Sequence, residues 1–149
     1  MAASRPRILV TESVSQDGLD LLTPHFDVEV RRGMSAPELE SEIAGYHGII
    51  VRSSTKVTSE VLQAGSRLRV VARAGVGVDN IDVKAATKRG VIVVNSPSGN
   101  TVAAAEHTIA LLLATARHVG RGDAGVKAGQ WERGSLVGVE VARKPRGWG

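Results

Sequence analysis

A chain of 149 residues, 42% hydrophobic and 23% charged, suits one ordinary domain, or one domain with an appended element, and carries enough apolar residues for a core. The absence of cysteine excludes disulfides, a thiolate metal site and a thiol nucleophile, and aromatics at only 3% mean that the core is aliphatic. The net charge of +4 is unevenly placed: residues 1–116 hold 12 basic and 12 acidic side chains, residues 117–149 hold 7 and 3, and this basic stretch reads as a solvated connection rather than a nucleic-acid surface. In chain order, Arg7–Thr11 is a short β-branched run that reads as a buried parallel strand. Ser15 caps a short helix with Leu19, Leu21 and Leu22, closed by Pro24. Phe26–Val30 alternates apolar and acidic residues, as expected of a half-buried strand near a sheet edge. Ser35 and Glu38 form a capping-box pattern for a helix over Ala36–Ala44. Gly48–Val51 is a third strand, Thr58–Ala64 a brief helix and Leu68–Ala72 a fourth strand. Asp82 caps a helix that Gly90 ends, Val91–Val94 is the fifth strand, and Thr101 is the expected N-cap of the longest helix, carried to about Val119.

Strands alternating with helices imply an α/β fold with a parallel sheet, and five strands at this spacing predict the flavodoxin-like order 2-1-3-4-5. In such sheets ligands bind beyond the carboxyl ends of the strands, where Arg52, the Arg73–Asn80 loop and Asn95–Asn100 all fall. Gly75 and Gly77 bracket Val76 directly after a strand; the pattern suits backbone amides turned to an anion, but a lone G-x-G is weak evidence and by itself reads first as a tight turn. The Arg52 guanidinium could fork onto a phosphate or carboxylate, or sit in a surface ion pair. Glu106 and His107 lie just past the first turn of the long helix, with no nucleophile or carboxylate partner at readable spacing, so packing or hydrogen bonding is the expected role. No metal-ligand spacing is present. Ala103–Val119 is apolar but is interrupted by Glu106, His107 and Arg117 and falls short of the roughly 20 residues of a membrane span.

The segments VRSSTKVTSEVL, VARAGVGVDNIDVKAAT, GVIVVNSPSGNTVAAAEH and GQWER closely resemble the D-isomer-specific 2-hydroxyacid dehydrogenases, and among them the branch that acts on phosphoglycerate. The likeness runs from about Arg7 to Lys144. It implies oxidation of 3-phospho-D-glycerate to 3-phosphooxypyruvate, the first step of the phosphorylated route to serine, with hydride passing to NAD. By the same resemblance, residues 1–100 form the substrate-binding lobe, 101–119 an interlobe helix and 120–149 an irregular connection toward a nucleotide-binding lobe. Arg52, Ser53, Gly75, Gly77 and Asn100 match substrate-binding positions, with Arg52 and Ser53 toward the phosphate end. Val76 and Thr101 match positions near the cofactor, and Arg133 matches an arginine that reaches a neighbouring subunit, so the full-length enzyme is expected to be a homo-oligomer.

After Lys144 the family pattern of strand and G-x-G-x-x-G is replaced by Pro145-Arg146-Gly147-Trp148-Gly149, and the arginine, glutamate and histidine of catalysis are not met. The Rossmann lobe is therefore expected to be missing and the isolated chain inactive; the alternative from another class is a non-catalytic module that binds a small acid or another subunit. The expected location is cytoplasmic, or plastid where a transit peptide precedes Met1, and neither a nucleic acid nor a membrane is an expected partner.

Overall fold

The computed structural model describes residues 5–142 and divides the chain into two compact units, Met1–Gly99 and Asn100–Gly149. In the first unit, β-branched runs bounded by turn formers make five four-residue strands: β1 Arg7–Val10, β2 Asp27–Val30, β3 Gly48–Val51, β4 Val70–Arg73 and β5 Ile92–Asn95. All pair in parallel, in the order β2-β1-β3-β4-β5, as the spacing predicts. Helices α1 Gln16–Leu22, α2 Ala36–Glu42, α3 Ser59–Ala64 and α4 Val83–Lys88 connect them.

Successive strand residues point to opposite faces, and the two faces have different partners. Leu9, Ile49, Val51, Val71 and Val93 face a core completed by Leu39 and Ile43, by Val61 and Leu62 of α3, and by Ala86 of α4. Ile8, Gly48, Ile50, Val70 and Ala72 face the other way and, with Leu22 and Phe26, line an apolar hollow of about 390 Å³. The sheet is thus doubly wound, with its aliphatic core on the side of α2, α3 and α4.

Local chemistry sets the helix starts. Ser15, Thr58 and Asp82 each accept a backbone N–H from the first turn of α1, α3 and α4. Glu38 accepts from the Ser35 amide at 2.8 Å, closing the capping box of α2. Gly90, at φ +68°, ends α4 in the left-handed region where a side chain is disfavoured. Several boundaries move by one or two residues, β1 ending at Val10, β2 starting at Asp27 and β5 running over Ile92–Asn95. A 3-10 turn at Ile43–Gly45 takes over the end of α2. The fourth strand begins at Val70 rather than Leu68 and extends to Arg73, because Leu68 closes a turn onto Gly65 while Arg73 finds register with Val51 and Asn95. On β5, Ile92 and Val94 are exposed, since they lie on the face opposite the core.

The second unit holds α5 Thr101–Ala116, α6 Val119–Lys127 and a 3-10 turn Arg133–Leu136. Asn100, not Thr101, is the N-cap of α5, and its side chain makes no capping bond. The helix ends at Ala116 instead of Val119, because His118 adopts φ 53°, and α6 occupies a stretch expected to be irregular. Gly120, Gly122 and Gly125 weaken the helical signal there, each costing about 1 kcal/mol against alanine. Past the 3-10 turn, Val139 N–H donates to the Ala116 carbonyl at 2.8 Å. A Cβ on Gly138 would stand 2.1 Å from that same oxygen, so only glycine permits this approach. Arg143, Lys144 and the expected irregular end, residues 145–149, lie outside the described residues. No helix among the described residues is long and apolar enough to cross a membrane.

Candidate functional site

Parallel pairing brings the carboxyl ends of β1, β3, β4 and β5 to one edge, and the loops that leave them are tied together by side chains that local sequence does not connect. Glu12, two residues past β1, is the hub. Its Oε1 accepts the Arg52 amide at 2.8 Å and the Thr55 amide at 2.9 Å, and its Oε2 accepts the Ser54 amide at 3.1 Å. Next to it the buried Thr11 hydroxyl meets that of Thr55 at 2.9 Å. The Arg52 carbonyl is held from the other side, by Asn80 Nδ2 at 2.8 Å and Arg73 Nε at 3.2 Å. Asn80 Nδ2 also donates to the Thr55 carbonyl at 2.6 Å, and Arg73 Nη1 pairs with Asp79 at 3.0 Å.

These contacts fix the loop after β3 on both of its polar backbone edges and leave the Arg52 guanidinium exposed, with one long contact to the Ser13 carbonyl at 3.4 Å. Arg52, Ser13, Val14, Ile50 and Ala74 line a cleft of about 390 Å³ at this edge. Ser53 lies exposed beside Arg52.

In the glycine loop the Gly75 amide is already used, donating to the Arg73 carbonyl at 2.9 Å, and the Gly75 carbonyl accepts from Ser96 N–H at 3.0 Å. The Val76 carbonyl accepts from Asn95 Nδ2 at 2.5 Å. Among the described residues, the amides from Val76 to Asn80 donate to no protein acceptor, and those of Val76 and Gly77 are the first two of this run open to an anion. Neither Gly75 nor Gly77 has positive φ. Close approach matters at Gly77 instead, since a Cβ there would lie 2.7 Å from Arg73 Nη1 and 2.9 Å from Asp79 Oδ1 and the Arg73–Asp79 pair would have to shift. Asn100 and Thr101 open α5 in the second unit, and Glu106 and His107 are exposed on that helix. Among the described residues no three side chains are grouped as a metal site.

Of these residues, sequence reading passed over Glu12 and Asn80. An acid directly beyond a buried strand, and an asparagine following G-x-G, are the signals that could have drawn notice. Partial burial pushes the Glu12 carboxyl up, but the amides of Thr55, Arg52 and Ser54 together outweigh it and hold the pKa at about 2 against an ordinary 4.5. The folded value lies below the unfolded one. Its stabilisation is therefore complete above about pH 4.5 and is lost as the pH falls toward 2. Denaturant titrations in that window should show the wild type losing stability more steeply than Glu12→Gln. Parallel acid limbs for the two would remove Glu12 from the role of hub.

A profile described as "D-isomer specific 2-hydroxyacid dehydrogenase, catalytic domain" matches residues 8–141. The chain is 48% identical over 141 residues to D-3-phosphoglycerate dehydrogenase of Synechocystis sp., an alignment covering 95% of this chain and 26% of that protein. To D-3-phosphoglycerate dehydrogenase 2, chloroplastic, of Arabidopsis thaliana it is 52% identical over 141 residues, covering 94% and 23%. The solved structure of NAD+-bound 3-phosphoglycerate dehydrogenase of Entamoeba histolytica superposes with a TM-score of 0.67 at 25% identity, over 76% of this chain and 40% of that one. The chain spans about a quarter of the length of the curated relatives it matches.

Proposed function

The chain belongs to the D-isomer-specific 2-hydroxyacid dehydrogenase family, and from that premise we propose that its first unit is the substrate lobe for oxidation of 3-phospho-D-glycerate to 3-phosphooxypyruvate. This is the first step of the phosphorylated route to serine. The observation that carries the reading is the pairing, on one edge of the sheet, of an exposed Arg52 with two unoccupied loop amides. A phosphorylated 2-hydroxy acid has an anion at each end. Arg52 and Ser53 take the phosphate, because a guanidinium matches its oxygens by fork geometry. The Val76 and Gly77 amides, on the loop that Gly75 starts, take the carboxylate. The substrate is thereby oriented by its two ends, with the carbinol carbon between them. By the family resemblance alone, Asn100 matches a substrate-binding position and Thr101 a cofactor position.

NAD, when bound, supplies the hydride acceptor. The described residues fit its nicotinamide end through the half-exposed apolar Val76. They do not fit its pyrophosphate, which needs a strand followed by a glycine turn and a helix N-terminus, whereas the second unit contains no strand among the described residues. We assign no chemical step to this polypeptide alone: the 149 residues bind the acid and do not turn it over.

Titration of the isotope-labelled chain with 3-phospho-D-glycerate should move the amide signals of Arg52, Ser53, Val76 and Gly77 together, with no NAD reduction above blank. Signals that stay in place at millimolar ligand would sink the binding reading. Reproducible NAD reduction by the purified chain would sink the claim of inactivity.

A further inference from the structure

We propose that Glu12 is a positioning residue, whose carboxylate sets the Arg52–Thr55 loop in the conformation that presents Arg52 and Ser53 to the phosphate of a phosphorylated 2-hydroxy acid. This rests on the reading of that loop as the phosphate end. It makes Glu12, which does not touch the substrate, a determinant of the preference for phosphorylated over unphosphorylated acids.

The geometry calls for a carboxylate. Three amides from one short loop, those of Arg52, Ser54 and Thr55, converge on a single side chain reached from a different strand. Converging N–H groups need an acceptor with lone pairs on both of its ends, and an ionised carboxylate has two oxygens and no hydrogen to clash. Glutamine would satisfy Arg52 and Thr55 with its oxygen but would turn an NH2 group toward the Ser54 amide. The amide of Arg52 is held by Glu12 and its carbonyl by Asn80 and Arg73, so both polar groups of that backbone unit are fixed from opposite sides. The charge of Glu12 is spent on amides and not on the guanidinium. Among the described residues Arg52 forms no ion pair, so its cation stays available. The cleft lined by Arg52 and Ala74 opens on the same edge. One acid therefore orders a cationic loop without neutralising it.

The test measures affinity for 3-phospho-D-glycerate and for D-glycerate in the wild type, Glu12→Gln and Glu12→Asp by the same amide titration, with hydrogen exchange at Ser54 and Thr55. Glu12→Gln should weaken the phosphorylated acid about ten-fold, leave D-glycerate unchanged and speed exchange at Ser54. Glu12→Asp, which keeps the charge on a shorter arm, should fall between; it also reads the ratio of affinities if Glu12→Gln does not fold. Equal losses for both ligands would make the role merely structural and overturn the proposal, as would unchanged affinity for both. A wild type that does not prefer the phosphorylated acid would overturn the phosphate-end reading itself, and this inference with it. The two failures are separate, one visible in the wild type and the other only in the variants.

Discussion

Leu62→Ala lowers the melting temperature of the chain by roughly 10–20 °C, because a fully enclosed leucine truncated to alanine costs about 2–5 kcal/mol and each kcal/mol moves a domain of this size by several degrees. Leu62 has no exposed surface and sits on α3, between the odd-numbered residues of the sheet and the side chains of α2 and α4. Among the described residues the core has no large aromatic side chain other than Tyr46 to close over a void, so the cavity left by the three missing carbon groups stays open. Leu21 is the internal control: it lies on α1 at 76% exposure, and Leu21→Ala should change stability by no more than about 0.5 kcal/mol. Calorimetric melting of both variants tests the packing; equal shifts would mean that α3 is not seated on the sheet.

Gly77→Ala weakens 3-phospho-D-glycerate by about ten-fold or more, while Gly75→Ala is mild, although the two glycines look alike in G-x-G. A Cβ at Gly75 meets nothing nearer than 3.7 Å. At Gly77 it would fall on the two atoms that join Arg73 to Asp79. Arg73 cannot swing aside cheaply, because its side chain is only 11% exposed and its Nε holds the Arg52 carbonyl. Either the pair opens and loosens the Arg52 loop, or the backbone from Gly75 to Val78 shifts and displaces the Val76 and Gly77 amides. Both routes damage one end of the proposed anion grip. Parallel titrations of the two variants decide the matter, and equal affinities for them would show that the Arg73–Asp79 pair has no part in binding.

Much of the architecture is legible in short stretches of the chain. The aliphatic runs give the strands, and Ser15, Ser35 with Glu38, Thr58 and Asp82 mark helix starts, because a cap bonds to an amide only a few residues away. Alternation of strand and helix is enough to order a parallel sheet, since right-handed crossovers leave few topologies. Element ends are less legible. Leu68 has the hydrophobicity of a strand residue but its amide is turned to Gly65, and the glycines of α6 hide a helix that buries none of its residues and so leaves no apolar face to read.

The sequence by itself determined the α/β class, the aliphatic core, the strand order and the edge on which the ligand-facing loops lie, all of which follow from periodicity and local hydrogen bonding. Only the tertiary structure decided which groups on that edge are free and which are spent. That the Gly75 amide is taken while those of Val76 and Gly77 are open, and that a Cβ at Gly77 but not at Gly75 would meet the Arg73–Asp79 pair, depends on where Arg73 and Asn95 come to rest. That Glu12 orders the Arg52 loop depends on β1 and β3 lying side by side in register. Residues distant in the chain meet there because the sheet places them, and no local pattern encodes such a meeting.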